Sequence, residues 1–347
     1  MPTKRIARRV TLASRPVGLP SVNNFKIESF SVNSPQAEEV LVKVTHFSLD
    51  PYMRGRMDDA ASYAAPVKLG EVMEAGAVGR VEESESEGIE VGDWVYGRMG
   101  WTESAVIDGS LIQKIPASMS PKSLSLGALG MPGFTGWWGL SHHGRPKAGE
   151  TLVVGAVTGP VGSMVVQLAK RLGLKTIGIA GSEKKCTLAI DKFGVDHCLN
   201  HREFNSAREL QSALKGVAPD GIDIYFENVG GKVFEAVAPQ MNEFGRVVVC
   251  GMVSWYNEGA MGTEAQTESI SVANLWRNIL VKKLSVNGFI ISDHWSHYPK
   301  FVSNMQPLIT SGEIQYIEDM VAGIENAPNA FIGLLQGRNF GKLVVEV

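Results

Sequence analysis

The chain has 347 residues, 44% hydrophobic and 20% charged, with a net charge of −3. That balance supports a buried core in two domains, excludes a disordered chain and offers no basic face for nucleic acid. Its three cysteines, Cys186, Cys198 and Cys250, fit neither a disulfide framework nor a zinc ribbon, which points to a reducing, cytoplasmic compartment.

In chain order, the basic opening MPTKRIARRV lacks the apolar stretch of a signal peptide and runs into VTLASRP as a first strand. No apolar run is long enough to cross a bilayer. Residues 1 to about 125 read as strands and glycine turns: VLVKVTHFSL (Val40 to Leu49), GAVGRVEES and GDWVYGRMGWTESAVI. The acidic run from Glu82 to Glu90 reads as a solvated loop.

After Lys147 the pattern changes. Short β-branched runs (151–156, 175–180, 196–200, 221–228, 245–251 and 284–291) alternate with helical periods. In PVGSMVVQLAKRLG, one helical face would carry Val161, Met164, Val165, Leu168 and Leu172. Repeated strand–helix order predicts a doubly wound parallel sheet. Residues 252–269 read as a loop whose Met252, Trp255 and Met261 shape an apolar pocket. A helix in ENAPNAFIGLLQG and a strand in GKLVVEV end the chain.

The segment VVGAVTGPVGSMVVQLAK carries the first chemistry. A strand gives way to a helix across Gly159 and Gly162, with Val157 in the first position of the usual three-glycine pattern. Gly159 would admit a pyrophosphate, Gly162 would let helix and strand pack, and the helix-start amides would hold the anion. The next strand runs into Gly181, Ser182, Glu183, Lys184 and Lys185, with no acid at its tip to bind ribose hydroxyls. Two lysines in a first helical turn oppose the helix dipole, so either an anion such as a 2′-phosphate sits near them or they are solvated. The first alternative favours NADPH, with His201 as a candidate second phosphate contact.

VTGPVG, GSEKK, FENVGGKVF, CGMVSWYN, GFII and GRNFGK, with LSLDPYMRGRM and LGMPGFTGWWGL upstream, occur in order. Together they resemble the zinc-independent medium-chain dehydrogenase/reductase superfamily. Within it the sequence is most like the prostaglandin reductase and alkenal double-bond reductase branch, and the bacterial NADPH-dependent curcumin reductase group. The resemblance implies an α/β chain with three parts. These are a GroES-like, β-rich catalytic domain (1–127), a Rossmann NADPH-binding domain (128–300) and a C-terminal return to the first (301–347). It implies cofactor contacts at Thr158, Gly159, Pro160, Val161, Gly162, Ser182, Lys185, His201, Asn228, Cys250, Gly251, Ser254, Tyr256, Phe289, Ile290, Ile291 and Asn339. Most of the family has tyrosine where His201 stands. A His201 cation would make NADPH affinity fall as pH rises through about 6.5.

The implied reaction reduces the C=C bond of α,β-unsaturated ketones and aldehydes, with a small apolar substrate held between the domains. Charge that develops on the carbonyl oxygen needs a donor. The His142–His143 and His294–His297 pairs lack further ligands at metal spacing, so hydrogen bonds rather than a metal are expected. Tyr256, at a strand's carboxyl end, is the first candidate, and the resemblance places a substrate-facing tyrosine there. Tyr52 in LDPYMRG is the second, with a packed rim aromatic as the equal alternative. A quinone reductase of the same fold shares every cofactor motif, and a non-catalytic NADPH-binding protein is a third reading. LSVNGFII could pair across a two-fold axis in a homodimer.

Overall fold

The computed structural model describes residues 5–259 and 272–347. They form two units. Among the described residues, the first takes 5–130, 256–259 and 318–347, and the second takes 131–255 and 272–317. The division departs from the expected 1–127, 128–300 and 301–347 in three places. The first segment runs to Gly130, Tyr256 belongs to the first unit, and the return begins at Glu318 rather than at 301.

The first unit is β-rich. Arg5–Leu12 and Phe25–Val32 form an antiparallel hairpin in register from Arg5↔Val32 to Leu12↔Phe25. A larger sheet orders Glu318–Ala322, Lys342–Glu346, Glu39–Ser48, Ala77–Ser84, Trp94–Gly97 and Ile112–Lys114, with Ser104–Asp108 also paired to Glu39–Ser48. Alternation in VLVKVTHFS places Val40, Val42, Val44 and Phe47 in the core. Trp101 closes that core, with Phe25 stacked at 5.5 Å and Phe331 edge-on at 5.5 Å. The acidic run is not wholly a loop, because Glu82 and Glu83 lie on strand Ala77–Ser84.

The second unit is a six-stranded parallel sheet in the order His197–Asn200, Lys175–Ala180, Thr151–Gly155, Ile222–Glu227, Met241–Val249, Ser285–Gly288. TLVVG is buried at every position, as expected for a strand covered on both faces. Helix Pro160–Arg171 buries Met164, Val165, Val166 and Ala169, while Leu172 is 51% exposed. Its buried face is therefore rotated from the expected one, because the close approach at Gly162 turns Val166 and Ala169 inward. The strand order reverses beside Thr151–Gly155, and ligands of such sheets sit at the carboxyl ends of the strands there.

Candidate functional site

Strand Thr151–Gly155 ends at Ala156, whose φ of 52° is left-handed, an uncommon conformation for a residue with a Cβ. Val157 is fully buried against the neighbouring strand, where a Cβ on Gly178 would lie 2.9 Å from its methyls. That contact accounts for a valine in the first glycine position. A Cβ on Gly162 would come within 2.6 Å of the Ala156 carbonyl oxygen, so only glycine lets the helix sit on the strand end. Helix Pro160–Arg171 starts from Gly159 with no side-chain cap and with Pro160 in its first turn. The first-turn amides of Val161 and Gly162 have no acceptor within the helix and carry the positive end of its dipole. Thr158 is buried next to them. A pyrophosphate fits this cradle.

The second cluster lies past the neighbouring strand ends. Ser182 is the N-cap of helix Glu183–Phe193, and its Oγ accepts the Lys185 N–H at 3.3 Å. The Lys185 side chain is buried. A Cβ on Gly181 would lie 3.4 Å from Arg202 Nε and 3.5 Å from His201 Nε2. His201 is pushed down to about 4, first by burial and then by Lys232, Arg202 and Lys185. Without an anion His201 is therefore neutral at physiological pH. Three cations crowding one histidine is costly unless an anion is present, and a phosphate fits that demand. Arg202 and Lys232 were missed in the sequence. The HRE and GGK segments that hold them carry no spacing rule of their own.

A third group forms around Glu227. Its Oε1 accepts the N–H groups of Val229 at 2.5 Å and Gly230 at 2.9 Å, and its carbonyl oxygen accepts those of Cys250 and Gly251 at 2.9 and 3.0 Å. Ser254 donates its N–H and Oγ–H to Val229 O at 2.9 and 2.6 Å. The Asn228 Nδ2 donates to Gly155 O at 2.9 Å, tying this loop to the pyrophosphate turn. Glu227 thus organises Asn228, Cys250, Gly251 and Ser254, although burial pushes its own carboxyl up. Burial also pushes the Cys250 thiol up to about 12, so it is no thiolate. Phe289, Ile290 and Ile291 follow strand Ser285–Gly288, with Phe289 5.2 Å from the His143 ring. Met261 lies outside the described residues, so its expected part in the pocket does too.

In the first unit, Tyr52 and Tyr256 line one cavity of about 10 Å³, together with Gly55, Arg56, Ser62 and Tyr63. Burial, then the charges of Asp50 and Glu74, push the Tyr52 phenol well above its usual value, so it stays a donor at physiological pH. Its position is set by residues outside the cavity. Lys342 Nζ donates to Asp50 Oδ1 at 2.7 Å and to Leu49 O at 2.8 Å, and the Ser48 hydroxyl donates to the other Asp50 oxygen. Both charges are buried. The DPYM and GRNFGK motifs therefore meet through one ion pair. Arg54 is fully buried, donating to Gly18 O at 3.0 and 3.2 Å and to Asp58 at 2.5 Å. Asn339 lies in the first unit, where its Nδ2 donates to Gly341 O at 2.9 Å. Among the described residues, no group of three or more His, Cys, Asp or Glu is placed to hold a metal ion.

Two family models match the chain. An N-terminal domain of oxidoreductase matches residues 8–115, and a zinc-binding dehydrogenase model matches residues 160–306. The chain belongs to the zinc-independent branch of the medium-chain dehydrogenase/reductase superfamily and is an oxidoreductase. It is 45% identical to the NADPH-dependent curcumin reductase of Escherichia coli, across 99% of this chain and 98% of that one. It is 39% identical to the NADP(+)-dependent 2-alkenal reductase of Nicotiana tabacum, across 98% and 97%. The structure of CurA in complex with NADPH from Vibrio vulnificus superposes with a TM-score of 0.92 at 46% identity, covering 98% of this chain and 99% of that one.

Proposed function

We propose that this chain uses NADPH to reduce the C=C bond of α,β-unsaturated ketones and aldehydes. The observation that carries the reading is that Tyr52 and Tyr256, far apart in sequence, line the same cavity. NADPH, when bound, supplies the hydride. The Gly159–Gly162 turn holds its pyrophosphate, and Lys185 with His201, Arg202 and Lys232 holds its 2′-phosphate. The Tyr52 and Tyr256 phenols donate to the carbonyl oxygen as it gains charge. The named activities of the alkenal and curcumin reductases support this substrate class.

The test is a panel of enones, enals and quinones followed at the NADPH absorbance, with NADH as control. Turnover of enones and enals above quinones is expected. Faster quinone turnover would move the chain to the quinone reductases, and no oxidation with any acceptor would leave a non-catalytic binder. The three free thiols support a cytoplasmic setting, and among the described residues no helix is long and apolar enough to cross a membrane.

We further propose a homodimer through strand Ser285–Gly288, an edge of the parallel sheet, and helix Val272–Lys282, whose Trp276 is 64% and Leu280 79% exposed. Trp276→Glu should shift the protein toward monomer in light scattering, and an unchanged mass would remove this interface.

A further inference from the structure

Arg56 stands in the DPYMRGR segment, four residues after Tyr52, and the roles given to the two tyrosines leave it unassigned. Its side chain is 3% exposed. Nε donates to Glu74 Oε1 at 2.8 Å and Nη1 to Ala64 O at 2.8 Å. The guanidinium faces the Tyr63 ring at 4.3 Å and the Tyr52 ring at 5.8 Å. Among the described residues, Nη2 donates no hydrogen bond, while Arg56 lines the same cavity as Tyr52 and Tyr256.

Two features fix what such a group can hold. Glu74 is shared, since Arg98 Nη2 reaches its other oxygen at 3.2 Å, so one carboxylate serves two guanidinium groups and positive charge is left over at the cavity. The cavity has the volume of about one water molecule, which is also the volume of one carbonyl oxygen. A carboxylate is recognised best by a two-pronged guanidinium edge. Here Nε and Nη1 are already committed, which leaves Nη2 as a single prong. Tyr63, 48% exposed, leaves that side open to an entering ligand.

We propose that Arg56 Nη2 binds the carbonyl oxygen of the conjugated substrate, beside the two phenols, and so selects ketones and aldehydes over α,β-unsaturated acids. This rests on the double-bond reduction proposed above. As a hydride adds to the β-carbon, with NADPH the two-electron reductant that would end as NADP+, the C=C π pair shifts toward the carbonyl and the oxygen becomes an enolate. A proton from water then joins the α-carbon and the saturated ketone results. Arg56 stabilises the oxygen while it carries that charge.

The experiment compares wild type, Arg56→Met and Arg56→Lys on an alkyl enone and on the unsaturated acid of equal chain length, with NADPH affinity and unfolding temperature measured alongside. Wild type should reduce the enone and leave the acid nearly untouched. Arg56→Met should lower enone kcat by about 10- to 100-fold with KM within about threefold, NADPH affinity unchanged, and partial recovery in Arg56→Lys. Enone kcat within twofold of wild type in Arg56→Met, or a parallel loss of kcat and NADPH affinity, would overturn the assignment. If Arg56→Met does not fold, Arg56→Lys decides alone, and wild-type kcat in it sinks the proposal. Should wild type reduce no enone, the reading of the reaction fails by itself. Binding of the saturated ketone, followed by saturation-transfer NMR, then tests Arg56 separately: loss in the variant supports it and retention overturns it.

Discussion

The two units build their candidate sites by different means. In the second unit the proposed pyrophosphate cradle is mostly backbone. It consists of a left-handed Ala156, a glycine at 162 that a methyl group would displace, and helix amides with no side-chain cap. In the first unit the cavity is built of side chains, and its geometry comes from ion pairs, the buried Asp50 with Lys342 and the buried Arg56 with the half-buried Glu74. A backbone site tolerates changes in side chains around it but not added bulk. A side-chain site depends on partners that lie far apart in the chain.

The comparison can be broken at its strongest point first. Asp50→Ala removes the carboxylate and leaves the Lys342 ammonium buried and unpaired, which should cost about 3–5 kcal/mol of stability. Calorimetry on the variant checks this, and a change under about 1 kcal/mol would show that the pair does not hold the first unit. Tyr256→Phe should lower enone turnover by roughly 10- to 10³-fold with the fold intact. Unchanged turnover in a stopped-flow assay would take Tyr256 out of the reaction. Lys185→Ala should weaken NADPH by about 10-fold and NADH by less than about twofold, since only the phosphate loses a charged partner. Equal losses by titration calorimetry would argue against the phosphate role.

The smallest effect concerns His201. Its proton affinity is lowered in the fold, so the unfolded chain takes up a proton that the native chain refuses. Native stability is then full above about 6.5 and falls as pH drops toward 4. The unfolding temperature of His201→Gln relative to wild type should rise as pH falls through this window, and a constant difference would mean His201 is not crowded by its cations.

What could be read from the sequence follows the same division. The Gly159–Gly162 turn and the strand–helix alternation are local patterns, and each element predicted after Lys147 exists with ends shifted by a few residues. Lys185 could be read because a cation in a first helical turn breaks a local rule. The pairing of Asp50 with Lys342 could not, because 292 residues separate them. Neither could Arg202 and Lys232, which reach His201 only through the fold. Tyr52 was visible as a candidate, yet nothing local to LDPYMRG distinguishes Arg54, spent on Gly18 and Asp58, from Arg56, which faces the cavity.

Strand Lys342–Glu346 pairs with both Glu39–Ser48 and Glu318–Ala322, and it brings the cation that neutralises Asp50. During synthesis the first unit therefore emerges first and is completed last. Until residues 342–346 have left the ribosome, the nascent chain carries an open sheet edge and a carboxylate without its counter-ion, while residues 131–255 have already emerged. The chaperone-exposed interval of the first unit is thus set by strand Lys342–Glu346, and a substitution that weakens this strand touches the half of the molecule built around residues 5–130.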